Sequence, residues 1–221
     1  MSTTPQFFDV HTHAHFVAFK EDSDEVIRRA LEAGVAMVNV GTQRDTSRSA
    51  VETAERYAEG VYATVGLHPI HTERSYHDDK ELGLPNPSAF GGPTAKSAAK
   101  SGSGFVSRGE DFDYEYYKAL AQHPKVVAIG ECGLDYYRIL NLESRILQEN
   151  VFRKHIMLAQ EVHKPLMIHC RNAFNDLISI VRDSKFQILN SNSNGVVHFF
   201  TGTVDDARKL LDLGFSFPSA G

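Results

Sequence analysis

The run Phe7-Phe8-Asp9-Val10-His11-Thr12-His13 is short, apolar and closes on a His-x-His pair. In an extended strand alternate side chains share a face, so His11 and His13 leave the strand's end in the same direction. Two neutral imidazoles converging there form half of a divalent-metal site, although an isolated pair of this kind is more often a polar turn. The pair is not isolated. Gly66-Leu67-His68-Pro69, Gly130-Glu131-Cys132-Gly133-Leu134-Asp135-Tyr136, Ile168-His169-Cys170-Arg171 and His198-Phe199-Phe200-Thr201-Gly202 each begin or follow the end of an apolar stretch. Histidines and one carboxylate recurring at the C-terminal ends of strands point to a metal-assisted hydrolase.

Bringing those ends together requires strands that run in one direction. The first strand is followed by a helix over 23–34, with Val26, Ala30, Leu31 and Ala33 on one side, Ser23 or Asp24 as cap and Gly34 as stop. A buried strand over 35–40 leads to a helix over 42–59 that carries Ala50, Val51, Ala54, Tyr57 and Ala58 inward, then to a strand over 61–66. Further helices are expected near 114–122 and over 143–162, 173–181 and 205–213. The 143–162 helix has Ile146, Phe152, Ile156, Leu158 and Ala159 among its apolar positions. Strands are expected over 126–130, ending at Glu131, over 165–168, ending at His169, over 195–197, ending at His198, and over 215–217. Alternating strands and helices signal parallel pairing with right-handed crossovers. The expected fold is α/β, a TIM-type (β/α)8 barrel incomplete at the C-terminus with about seven strands, whose strand ends converge on the face where barrel active sites sit.

Residues near 75–111 break this rhythm. They are rich in Pro, Gly, Ser and Lys and cannot bury enough apolar surface to order themselves, so they read as a partly flexible insertion in a single domain spanning 1–221. A hydrophobic content of 42% with 23% charged residues excludes disorder throughout. The formal charge of -5 gives no general basic footprint for nucleic acid. A phosphate ester would need bound metals or a local cluster of Arg and His. Cys132 and Cys170, the two cysteines, are too few for a disulfide framework and read as reduced and buried. No stretch approaches the roughly 20 apolar residues of a membrane span, and Met1-Ser2-Thr3-Thr4-Pro5-Gln6 lacks the regions of a signal peptide. A cytoplasmic protein with no membrane partner is expected, or a nuclear one in a eukaryote.

Taken in order, these motifs resemble those of the TatD-type metal-dependent deoxyribonucleases, a family of amidohydrolase-like barrels. The resemblance covers nearly all of the chain except the insertion. It implies a nuclease acting on DNA, at single-stranded ends; a monomer is expected. It also implies His11 and His13 on one metal, Glu131 bridging two, and His169 with His198 on the second. Glu131 and His68 are then the expected catalytic residues, with His68 close to the substrate phosphate. Arg171 either binds that phosphate or anchors a carboxylate such as Asp135. Asp135 and Tyr136 support the site. Four histidines and a carboxylate suit Zn, Mn, Co or Ni, and Mg stays open because family nucleases are often supplied with it.

The chain departs from the family twice. Ile70 intervenes before His71 where the family has a second His directly after the Pro, so His71 carries over only weakly. The family's last ligand, an Asp in a Glu-Thr-Asp segment after strand eight, has no counterpart here. A truncated barrel with a weakened first metal site is therefore expected. The alternatives are another amidohydrolase-like reaction on an ester, amide or lactone, and a catalytically impaired metal-binding protein. His15, His77, His123, His155 and His163 lie off the strand-end pattern and read as surface or helix residues. Tyr114, Tyr116 and Tyr117 are either a base-stacking cluster or the core face of a helix.

Overall fold

Apolar runs separated by amphipathic helices have no tight turns with which to pair antiparallel, so they align side by side in one direction. The computed structural model describes residues 5–74, 76–77, 105–106, 108–137, 139, 141–188 and 193–218. Along the chain these form β1 (Phe7–Thr12), α1 (Ser23–Glu32), β2 (Val35–Val40), α2 (Arg44–Glu55) and β3 (Val61–Val65). Two short strands, β4 (Tyr76–His77) and β5 (Phe105–Val106), pair antiparallel. There follow α3 (Tyr114–Ala121), β6 (Val126–Asp135), α4 (Leu142–Val162), β7 (Leu166–Arg171), α5 (Phe174–Ser184), β8 (Gly195–Val197), α6 (Val204–Asp212) and β9 (Phe215–Ser216).

Seven strands make one parallel sheet in the order β1-β2-β3-β6-β7-β8-β9, each beside its predecessor in the chain apart from the β4-β5 pair. The sheet is curled. With strands about 4.8 Å apart, β1 and β8 would lie roughly 24 Å apart in a flat sheet, yet the rings of His11 and His198 stack at 3.8 Å. This is the expected incomplete TIM-type barrel. One continuous cluster of buried side chains runs from Ala14 to Phe215, with Ile27, Val65, Ile129, Phe152, Ile168 and Leu177 among its fully enclosed members. A smaller cluster of Val38, Val40, Ala128 and Met167 lies on the other sheet face.

Several elements differ from expectation for identifiable reasons. α2 stops at Glu55, and the carbonyls of Tyr57 and Ala58 beyond its end are taken by Lys125 Nζ at 2.6 and 2.9 Å. Ala33 and Ala58 are exposed, and Ile27 anchors α1. β6 continues past Glu131 to Asp135, since Cys132 to Asp135 find partners in Ile168 to Arg171 of β7. Glu131 and His169 therefore lie within strands and not at their ends. In α4 the inward stripe is Ser144, Gln148, Val151, Phe152, His155 and Ala159, which leaves Ile146 on the exposed side. Most of the expected flexible insertion falls outside the described residues.

Candidate metal centre

Glu131 is the hub. Its residue is only 3% exposed, and its carboxylate is ringed by imidazoles from four strands. Oε1 meets His198 Nε2 at 2.5 Å, His68 Nε2 at 3.3 Å and His169 Nδ1 at 3.3 Å, and Oε2 meets His11 Nε2 at 3.4 Å. Two triads share it: His11, Glu131 and His198, and His68, Glu131 and His169, with the ligand atoms of each within 4.8 Å of one another. Gly133 lets β6 and β7 close at this point, for at its φ of +136° a Cβ would run into the carbonyl of His169.

Hydrogen bonds set which ring nitrogen faces the centre. His13 Nδ1 donates to the Val40 carbonyl at 3.0 Å, which leaves a lone pair on Nε2. The His13 ring lies 5.0 Å from that of His11, although His13 belongs to neither triad. His68 is arranged the other way round. Its Nδ1 accepts the Ile70 N–H at 3.2 Å, so a neutral ring carries its proton on Nε2 and presents a donor. A donor suits an anion better than a cation. His169 Nε2 meets Asp135 Oδ2 at 2.8 Å, the carboxylate support expected of Asp135. Tyr136 also supports the strand end, with its hydroxyl on Glu149 at 3.1 Å and Arg145 over its ring.

The electrostatics follow from burial and from Glu131. Burial drives His11 down to about 3 and lowers His13 and His68, while the Glu131 charge works against it. Burial alone would raise Glu131, but the imidazoles of His68, His198, His11 and His169 outweigh it and hold the carboxyl well below the usual range. For His169 burial is likewise outweighed. Its bonds to Asp135 and Glu131 raise it to about 9. His11, His13 and His68 are thus held neutral beside an ionised carboxylate, whereas His169 keeps its proton until a cation takes its place. Imidazoles around one carboxylate are the donor set a borderline divalent cation takes. The buried Nδ1 of His11 has no partner among the described residues. The residues present fit a metal.

Other expected residues have other surroundings. Arg171 ends β7 with its guanidinium 3.5 Å above the ring of Tyr137, which is 43% exposed. His71 is buried, its ring 6.0 Å from that of His68. The tyrosines of α3 form a structural face and not a base-stacking cluster. Tyr117 is fully buried with its hydroxyl on Glu110, Tyr114 bonds Glu161, and Tyr116 bonds the Arg44 carbonyl. His123 pairs with Glu55 at 2.8 Å and His163 caps α4; the side chain of His77 lies outside the described residues. His15 is neither at the surface nor in a helix. It sits part-buried in the turn after β1, bonds Asn39 Oδ1 at 3.2 Å, and is driven down to about 4 by burial.

Two further residues bear on the site, Gln148, which belongs to none of the motifs, and His155, which reads from the sequence only as a surface or helix residue. Gln148 and His155 are buried polar side chains of α4, and both reach the backbone at strand ends that carry site residues. Their signal in the sequence is a polar residue at each of two positions seven apart, on the helix face that also carries Val151, Phe152 and Ala159.

A parallel barrel sheet whose strand ends converge on histidines around a buried carboxylate defines the class of TIM-type, metal-dependent hydrolases. Within that class the family is specific. The family model described as TatD related DNase matches residues 8–221, and the chain belongs to this family. An uncharacterized metal-dependent hydrolase of Bacillus subtilis, YabD, is 31% identical over 215 residues, which are 97% of this chain and 68% of its own length. The 3'-5' ssDNA/RNA exonuclease TatD of Cronobacter turicensis is 33% identical over 208 residues, 94% of this chain and 64% of that protein. The chain thus spans about two thirds of the length of the curated relatives it matches. The crystal structure of YJJV, a TatD homologue from Escherichia coli K12, shares the fold, with a TM-score of 0.67 at 23% identity over 97% of this chain and 68% of its own. Among the described residues no helix is long and apolar enough to cross a membrane.

Proposed function

We propose that the protein is a metal-dependent phosphodiesterase that degrades nucleic acid from single-stranded ends, with two divalent ions held by His11, His13, Glu131, His169 and His198. The observation that carries this reading is the gathering of His11, His169 and His198 around the two oxygens of the buried Glu131 carboxylate, which could be shared by two ions. The expected pairing of His169 with His198 is not the one formed, since His198 groups with His11 and His169 with His68. Bound divalent ions of the Mg, Mn, Zn, Co or Ni type would supply a water acidic enough to attack at neutral pH and a sink for phosphoryl charge. The chain's own residues do the rest. Glu131 stays ionised among its imidazoles and orders the strand ends around one point. His68 offers Nε2–H to a phosphoryl oxygen, and its lowered basicity keeps it a neutral donor. Asp135 fixes the ring of His169 through Nε2. Arg171 ends β7 with its guanidinium stacked on the ring of Tyr137, which supports a role for this cation at a substrate phosphate.

The naming of relatives as ssDNA/RNA exonucleases supports single-stranded nucleic acid as the substrate. The net charge of -5 supports local recognition at the site over a broad basic surface. The continuous main core supports a single domain, and two buried free cysteines are in keeping with a reducing compartment such as the cytoplasm. The test is degradation of end-labelled single-stranded and duplex oligonucleotides with Mn or with EDTA, beside a lactone panel. Metal-dependent shortening of single strands is expected. Turnover of lactones with no attack on any oligonucleotide would overturn the assignment.

A further inference from the structure

We propose that Gln148 and His155 of α4 form a clamp that sets the direction of His68, so that a helix outside the barrel decides how the anion-facing donor points. The inference rests on the role of His68 given above. The two side chains are seven residues apart, hence on one helix face, and both are buried. They grip the chain on either side of His68. His155 Nε2 accepts the Leu67 N–H at 2.9 Å, and Gln148 Nε2 donates to the Pro69 carbonyl at 3.1 Å. The tautomer of His155 is fixed by its other nitrogen, since Nδ1 donates to the Val151 carbonyl at 2.8 Å and a carbonyl can only accept.

With Leu67 and Pro69 held, the His68 ring is left where its Nδ1 meets the Ile70 N–H, and this bond keeps the proton on Nε2. The Thr72 hydroxyl also reaches the Pro69 carbonyl, but that bond ties the turn only to itself. Gln148 ties it to the rest of the site. Its Oε1 accepts the Asp135 N–H at 2.9 Å, and Asp135 is the carboxylate on His169. One amide therefore spans the ends of β3 and β6 and links the setting of His68 to that of His169. Gln148 and His155 touch no substrate in this account; they are positioning residues.

The test uses the full chain with Gln148→Met, which keeps the shape and loses both bonds, and His155→Leu, with His155→Gln as the variant that restores an acceptor for Leu67. The first readout needs neither metal nor turnover: nitrogen NMR of the His68 ring in chelator-treated protein. The wild type should show a single neutral tautomer protonated on Nε2. Gln148→Met and His155→Leu should give an averaged mixture, and His155→Gln should recover the wild-type pattern. The second readout is oligonucleotide hydrolysis with Mn, where each damaging variant should lower kcat/KM by about tenfold, but not when His68 is already Ala. Wild-type ring spectra in the folded variants, or an equal loss of activity in the His68→Ala background, would overturn the clamp. If Gln148→Met does not fold, the His155 pair decides alone. If no variant and no wild type cleaves any nucleic acid, the assigned activity fails while the ring spectra still decide the clamp.

Discussion

Replacing His155 with leucine should flatten the acid limb of the protein's stability curve. The ring is fully buried, with Nδ1–H on the Val151 carbonyl and Nε2 accepting from Leu67, so a proton on Nε2 would set one N–H against another. Burial accordingly pushes His155 down from 6.5 to about 4, with the Val151 bond opposing the shift. The folded value is the depressed one, so as pH falls the unfolded chain takes up the proton first. The neutral ring's contribution is complete above pH 6.5 and is lost progressively as pH falls to about 4. At ~1.4 kcal/mol per pH unit that interval corresponds to about 3 kcal/mol, of which about 2 kcal/mol is gone by pH 5.

Urea unfolding in EDTA between pH 8 and pH 4.5 measures this, followed by far-ultraviolet circular dichroism because the chain has no tryptophan. His155→Leu should start less stable by about 1–3 kcal/mol at pH 8, the cost of leaving the buried Leu67 N–H without a partner. Its deficit should then shrink by about 2 kcal/mol at pH 5, because leucine has no proton to take up. His155→Gln should begin near the wild type and surpass it in acid. The other histidines are common to all three proteins, so only the differences between curves count. A wild type and variant whose curves stay parallel from pH 7 to pH 4.5 would refute the argument.

Asp135→Asn removes the charge that holds His169 Nε2, and calorimetric titration with Mn should show affinity falling by ~10–100-fold; an unchanged isotherm would mean that Asp135 does not position a ligand. Gly133→Ala puts a methyl against the His169 carbonyl at a left-handed φ of +136°. It should cost at least about 2 kcal/mol and lower Tm by about 4–8 °C in a scanning calorimeter. Lys164→Met strips a cation from the carbonyls of Ala121, His123 and Val126, where α3 ends and β6 begins. A loss of about 1–3 kcal/mol is expected by chemical denaturation, and no loss would show that water replaces the ammonium at full value.

Residues whose position is fixed by their place on their own strand were legible in the sequence. His11, His68, Glu131, His169 and His198 each follow or lie within a recognisable apolar run, and parallel order alone carries them to one end of a barrel. The reach of β6 to Asp135 was not legible, because what extends it is pairing with β7, which no local pattern of Gly130 to Asp135 reveals. His15 and the tyrosines of α3 failed for a related reason. Polarity and aromaticity name what a side chain can do, and only the packed neighbour, Asn39 or Glu110, settles what it does. Gln148 and His155 are the sharpest case. Periodicity marks them as polar intruders on the inner stripe of α4, while the exposed Ile146 shows how easily an apolar residue is credited with the place that a polar one holds. A buried amide and a buried imidazole are stable there only because Leu67, Pro69 and Asp135 offer backbone groups that have left the sheet ladder. The same unpaired backbone at the strand ends that makes room for a site is thus what the helix must satisfy, and the residues that do so acquire control over His68.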